Sequence, residues 1–204
     1  MLDFINAYFE QIKETISNIP VEKVQEVVDI IFEAYKNDRC LFVFGNGGSA
    51  ATASHIACDA AKGTAAPNRR RFKAMCLSDN APLITAWAND TDYRNTFGEQ
   101  LKNFVQPGDV ALGLSFSGMS PNVINAFRTA NELGATSILF SGKSGGEAKD
   151  VAKVHILVPS DHMQQIEDIH AMLNHIIFMV LKERIAEYDA GHSHTSKRAC
   201  CCGN

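Results

Sequence analysis

Apolar residues recur at helical spacing near both ends of the chain and frame a middle segment with a different pattern. A first amphipathic helix is predicted to end before Pro20, with apolar positions Phe4, Ile5, Phe9, Ile12 and Ile16. A second helix is predicted over 21–36, and a last, more apolar one over 163–187. The first two helices are long for so small a chain, so we expect their outer faces to pack between subunits.

Between these helices, short apolar runs alternate with helical patterns. Each run is bounded by Gly, Ser, Asp or Pro, which indicates buried strands at 40–44, 73–78, 110–114, 136–141 and 154–158. Helical patterns connect them at about 49–62, 80–89, 93–104, 121–133 and 145–151. The alternation predicts an α/β fold with a doubly wound, mainly parallel five-stranded sheet and helices on both faces. Ligands of such sheets bind beyond the carboxyl ends of the strands.

Composition predicts one domain over 1–188, because 46% of the 204 residues are hydrophobic and 21% are charged. Residues 189–204 have no apolar periodicity and are predicted to form a disordered tail. The formal net charge of −4 disfavours a nucleic-acid partner. We find neither a spanning apolar stretch nor a signal peptide, so we expect no membrane partner and a cytoplasmic location.

Two loops rich in glycine and serine each follow a predicted strand and precede a predicted helix. The first is Gly45-Asn46-Gly47-Gly48-Ser49, and the second holds Ser115, Ser117 and Ser120 before Pro121. Glycines let the backbone approach an anion, hydroxyls add donors, and the helix that follows offers unpaired N–H groups. Such clusters are also ordinary strand-to-helix turns, but two of them in one small domain favour a phosphorylated ligand.

Four potential metal ligands lie at helical spacing on two predicted helices. His55 and Asp59 are four residues apart on one predicted helix, and Glu167 and His175 are eight apart on the last helix. Imidazole and carboxylate groups favour zinc or another divalent metal. A histidine on an apolar helix is often a packed core residue instead, so the spacing leaves both interpretations open.

Six segments follow one another in an order that is typical of one family. They are the two loops, the helix with His55, the segment Ala88-Asn89-Asp90, the loop 141–146, and the helix that begins Ile-Glu-Asp-Ile-His-x4-His. Together they resemble the sugar isomerase (SIS) domain and, within it, the sedoheptulose 7-phosphate isomerases, or phosphoheptose isomerases. The resemblance covers about residues 1–188. It implies a homotetramer that interconverts ketose and aldose phosphates.

The resemblance also implies roles for single residues. Residues that match substrate-binding positions, three of them for the phosphate, are Asn46, Gly47, Ser49, Asn89, Asp90, Ser115, Ser117 and Ser120. His55 and His175 match zinc ligands, and His175 also matches an acid/base residue. Asp59 stands at the position of a base and ligand, and Glu167 at the position of a ligand that also reaches substrate.

Two of these positions depart from the family. Asp59 replaces a glutamate, and Glu167 replaces a glutamine; in the serine loop, Phe116 and Met119 replace Thr and Asn. Because position 59 keeps a carboxylate, we expect isomerisation of sedoheptulose 7-phosphate to D-glycero-D-manno-heptose 7-phosphate through an enediol, assisted by a divalent metal. The alternatives are a non-catalytic SIS module that binds sugar phosphate or protein, and an isomerase of another ketose phosphate.

Overall fold

A computed structural model describes residues 1–67 and 69–191. Two helices, α1 (Leu2–Ser17) and α2 (Val21–Lys36), precede the sheet. Its strands are β1 (Cys40–Gly45), β2 (Lys73–Cys76), β3 (Val110–Ser115), β4 (Thr136–Ser141) and β5 (Val154–Leu157). The other helices are α3 (Gly48–Cys58), α4 (Ala81–Asp90), α5 (Gly98–Phe104), α6 (Pro121–Glu132), α7 (Ala148–Val151) and α8 (Met163–Gly191).

The five strands lie in the order β2-β1-β3-β4-β5, and every neighbouring pair is parallel. The strand order reverses between β1 and β3, because the chain leaves β1 toward β2 on one side and leaves β3 toward β4 on the other. Gly45 at the end of β1 is in register with Leu114 near the end of β3. The two loops therefore begin side by side at the position where doubly wound sheets bind ligands. The predicted fold class is confirmed.

Both faces of the sheet are covered, as the apolar strand sequences predict. Leu41 on β1 packs into a core with α2, α3 and α8, and Phe44 on the same strand packs into a second core with α5 and α6. A glycine at position 113 permits this second core, because a Cβ there would lie 2.6 Å from Phe127 and 2.7 Å from Phe44. The sheet is thus a rigid base for the loops at its carboxyl edge.

The helices differ from the predicted ones in three main respects, and strand β2 ends at Cys76, two residues before its predicted end. The helix predicted over 49–62 ends as α3 and continues as a π-helical turn, Asp59–Gly63. The helix predicted over 93–104 is divided into a 3₁₀ turn, Tyr93–Asn95, and α5. Helix α8 continues to Gly191, past the domain end predicted at 188, because Asp189 accepts a hydrogen bond from the Tyr35 hydroxyl (2.8 Å). Residues 192–204 of the predicted tail lie outside the described residues, so the domain boundary stays a prediction.

The two N-terminal helices are used differently. Helix α2 buries a complete apolar face against the sheet and α8. In α1 only Thr15 is buried, and its exposed apolar residues are Leu2, Phe4, Ile5, Phe9 and Ile16. Of the two N-terminal helices, α1 is therefore the one that leaves most of its apolar face uncovered. Within residues 1–67 and 69–191, no helix is long and apolar enough to cross a membrane.

Candidate functional site

The serine loop forms a cup at the N-terminus of α6. The Gly118 N–H donates to Ser115 Oγ and the Met119 N–H donates to Ser117 Oγ, both at 3.2 Å. Ser120 is the N-cap residue of α6, but its side chain makes no capping bond and lies 3.2 Å from Ser115 Oγ. The backbone bonds use the hydroxyl oxygens as acceptors, which leaves O–H groups to donate to a ligand. The cup faces the positive end of the α6 dipole, so its chemistry suits an anion.

The loop after β4 packs against this cup and is hydrogen-bonded to it. The Ala148 N–H donates to Gly118 O (2.9 Å), and the Gly142 N–H donates to Phe116 O (3.1 Å). The backbones meet so closely that a Cβ on Gly118 would lie 1.9 Å from Gly145 O. Gly118 and Gly145 also have φ values of +65° and +77°, which favour glycine. The glycines of both loops therefore fix the shape of the cup.

Asn46 in the glycine loop is held by two residues that the sequence did not predict. Its amide pairs reciprocally with the amide of Asn122, which is fully buried at the start of α6, and each bond is 2.9 Å long. Tyr93 also donates its hydroxyl to Asn46 Oδ1 at 2.8 Å. The three side chains come from separate elements, so no local pattern in the sequence marks the cluster. In the sequence, the only sign of this cluster was a polar residue, Asn122, on the apolar face of α6.

The two loops and the start of α8 line one cavity of about 420 Å³. Its lining includes Asn46, Gly47, Ser49, Ser115, Ser117, Ser120 and Glu167. The Glu167 carboxylate lies over the N-terminus of α3, and a Cβ on Gly48 would be only 2.8 Å from its oxygens. The helix dipole stabilises a negative charge there. Seven residues predicted to bind substrate therefore share one cavity, with a carboxylate on one side and serine hydroxyls on another.

A second group of functional side chains lies further along α3 and α8. The potential ligand atoms of His55, Asp59 and His175 all lie within 4.8 Å of one another. His55 Nε2 is 3.4 Å from Asp59 Oδ2, and the two imidazole rings are 5.0 Å apart between centroids. All three residues are at least partly exposed, and Asp59 and His175 line a cavity of about 290 Å³. The structure thus brings together three of the four predicted metal ligands.

Glu167 is not a member of this group. It precedes His175 by eight residues on α8, a separation of about 12 Å along the helix axis. The structure places its carboxylate in the cavity with the serine loop instead. Asn89 and Asp90, also predicted to bind substrate, lie exposed at the end of α4, where the Asn89 amide donates to the Asp90 carboxylate (2.9 Å). Neither lines either cavity in the described part of the chain.

His170 lies on α8 between Glu167 and His175 but belongs to the core. It is 1% exposed and packs against the Phe140 ring at 6.0 Å between centroids. Burial lowers the pKa of His170 to about 4, which keeps the imidazole neutral. Of the two histidines that follow Glu167 on α8, only His175 is exposed enough to meet a ligand.

The residues at the second group fit a divalent metal. Two imidazoles and one carboxylate form the type of ligand set that holds zinc in enzymes and leaves a coordination position open. The half-exposed His55 and the adjoining cavity leave room for a further ligand. The site therefore combines an anion cup with a group that can bind a metal and transfer a proton.

Comparison with known proteins shows the family to which the chain belongs. The chain matches the SIS domain family over residues 5–142. It is 34% identical over 190 residues to the phosphoheptose isomerase of Aquifex aeolicus, covering 92% of this chain and 99% of that protein. Identity to the phosphoheptose isomerase of Clostridium acetobutylicum is 36% over 165 residues, covering 81% of this chain and 84% of that protein.

Solved structures show the same relationship. The phosphoheptose isomerase of Neisseria gonorrhoeae superimposes with a TM-score of 0.82 at 27% identity, covering 89% of this chain and 98% of that one. The phosphoheptose isomerase of Francisella tularensis gives a TM-score of 0.83 at 26% identity, with the same coverage. By sequence and by fold, the chain belongs to the SIS-domain phosphoheptose isomerase family.

Proposed function

We propose that this chain is a phosphoheptose isomerase that converts sedoheptulose 7-phosphate to D-glycero-D-manno-heptose 7-phosphate. The observation that supports it most is that two complementary groups of side chains lie along the contact between α3 and α8. An anion cup and Glu167 lie at one end, and His55, Asp59 and His175 lie at the other. A sugar phosphate needs the first group for binding, and a ketose–aldose isomerisation needs the second for proton transfer.

The phosphate is assigned to the cup of the serine loop. Ser117 and Ser120 offer hydroxyl donors at the N-terminus of α6, the positive end of its dipole. The Glu167 carboxylate repels an anion, so it contacts the sugar hydroxyls, which donate to it. The same cavity thus has one end for the phosphate and one for the polyol chain.

The proton transfer is assigned to Asp59 and His175. Isomerisation removes a proton from C1 of the ketose, forms an enediol and returns a proton to C2, so atoms and charge balance. Asp59 accepts the C1 proton, and His175 moves the proton between the two oxygens. His55, Asp59 and His175 would hold a divalent metal, which when bound polarises the carbonyl oxygen. The family pattern also makes Glu167 a metal ligand, but we do not include Glu167 in the proposed ligand set.

The first prediction concerns Asp59. Replacing the proton acceptor in Asp59→Asn is expected to lower kcat by about 10²–10⁴-fold, with the KM for sedoheptulose 7-phosphate within about threefold. Proton exchange at C1 and C2, followed by NMR in D₂O, measures this directly. Asp150→Asn on α7 is the matched control and should keep full activity.

The same assay separates the alternatives. If wild-type protein binds sedoheptulose 7-phosphate without exchanging its protons, it is a binding module and not an isomerase. Exchange with a different ketose phosphate only would assign another substrate. Full activity after chelation, in protein shown by elemental analysis to hold no metal, would refute the metal site.

The serine cup gives the second prediction. Ser117→Ala removes one donor to a charged oxygen, so binding of inorganic phosphate and of the phosphosugar should weaken by about 1–3 kcal/mol. Calorimetry on both ligands measures the loss. Ser144→Ala, in the loop after β4, is the control with unchanged affinity. Equal affinities for wild type and Ser117→Ala would place the phosphate elsewhere.

The third prediction uses the charge of Glu167. At a separation of about 8 Å and an effective dielectric constant of about 40, one charge on Glu167 opposes one on the phosphate by roughly 1 kcal/mol. Because the glutamine carbonyl still accepts from the sugar hydroxyls while the repulsion is removed, Glu167→Gln should lower the KM by about fivefold while kcat changes little. Glu183→Gln, exposed on the same helix, should leave both constants unchanged. A higher KM in Glu167→Gln would show that the carboxylate, and not repulsion, dominates sugar binding.

We also predict that the chain forms a homotetramer, because α1 has an exposed apolar face and the family resemblance implies this assembly. Light scattering at micromolar concentration should give four times the chain mass of 22.3 kDa. Phe4 and Phe9 on this face are 76% and 57% exposed. Replacing both with Glu should therefore lower the mass of the assembly that light scattering measures. Phe104→Glu, at an exposed position on α5, is the control. A monomeric wild type would contradict the proposal. The cytoplasmic location stays a prediction.

A further inference from the structure

Asn174 is a buried amide beside the proposed proton-transfer group. It is 1% exposed, and its Nδ2 donates to Asp59 Oδ2 at 2.8 Å. A carboxylate only accepts hydrogen bonds, so the amide nitrogen must face it. The amide oxygen then lies in the core, where it has no hydrogen-bond partner among the described residues.

Packing does not account for an amide at this position. Its neighbours along α8 include Leu173, Ile177 and Phe178, all of them buried in the apolar core. An unpaired buried carbonyl oxygen destabilises the fold, and an apolar side chain of similar size would avoid that cost. Within residues 1–67 and 69–191, the one side-chain hydrogen bond of Asn174 is the bond to Asp59.

That bond restrains the Asp59 carboxylate, whose Oδ2 also lies 3.4 Å from His55 Nε2. The χ2 torsion of an aspartate is broad, so backbone placement alone leaves its oxygens free to turn. Asp59 is also the first residue of the π-helical turn that follows α3, and its Oδ1 lies beside Gly63. Asp59 and Gly63 line the same cavity as His175. Because Asn174 binds Oδ2, proton abstraction is assigned to Oδ1.

We infer that Asn174 is a positioning residue that orients Asp59 for proton abstraction, an inference that rests on the proposed isomerase function. Asp59 is one methylene shorter than the glutamate at the matching family position. A displacement of a catalytic group by about 1 Å lowers rates by about a hundredfold. The bond from Asn174 compensates for the shorter side chain, because it fixes the one orientation in which Oδ1 reaches the substrate.

Asn174→Leu tests the inference, because leucine fills the site and removes both the donor and the unpaired oxygen. We expect kcat for sedoheptulose 7-phosphate to fall about 10- to 100-fold, with KM within about twofold and the melting temperature at or above that of wild type. Asn131→Leu, at a half-buried amide on α6, is the matched control and should keep the wild-type kcat. Wild-type kcat in Asn174→Leu would overturn the inference, as would a lower melting temperature with a parallel rise in KM.

Rescue by a longer base provides the second measurement. In the Asp59→Glu background, the glutamate reaches further without support, so Asn174→Leu should lower kcat by less than about threefold. An equal loss in both backgrounds would overturn the inference and leave the isomerase proposal intact. Absence of turnover by the wild type in the same assay would instead refute the proposed function and, with it, this role of Asn174.

Discussion

The reversal of strand order between β1 and β3 is the constraint on which the site depends. Because the chain turns to opposite sides of the sheet after these two strands, α3 packs on one face and α6 on the other. Their N-termini remain close, since Gly45 and Leu114 are neighbours in the register. One cavity thus receives donors from two helix ends, which neither loop provides alone.

Helix α8 adds the second half of the site by packing along α3. Its first turns bring Glu167 to Gly48, and its middle brings Asn174 to Asp59 and His175 to His55. The parallel helices α3 and α8 therefore set the spacing between the residues proposed to bind the ligand and those proposed to transfer the proton. That spacing suits a substrate whose phosphate and carbonyl lie at opposite ends of a carbon chain.

The features that depend on local residue patterns could be predicted from the sequence. Apolar periodicity predicted the sheet and its helices, and loop composition predicted the anion cup. Glu167 was grouped with His175 because eight residues nearly complete whole turns, yet the rise of the helix separates them by about 12 Å. That separation was predictable from the sequence. The contacts of Asn46 with Tyr93 and Asn122 were not, because they join distant elements through single hydrogen bonds.

The π-helical turn at Asp59 and the role of Asn174 were also beyond the sequence. A π turn differs from an α turn by one residue of backbone bonding, and no residue type marks it. Asn174 lies among apolar neighbours in a predicted helix, where a single amide is weak evidence of a partner. Only the fold shows that its partner is Asp59, which precedes it by more than a hundred residues.

The close backbone contact between Gly118 and Gly145 has a thermodynamic consequence. Because the two loops lock each other when the chain folds, the serine loop loses its conformational entropy at that stage and not when a ligand arrives. A preorganised loop spends little of its interaction energy on ordering itself, so more of that energy appears as affinity. The rigidity of the cup therefore depends also on the loop after β4, whose Gly145 packs against the serine loop without lining the cavity.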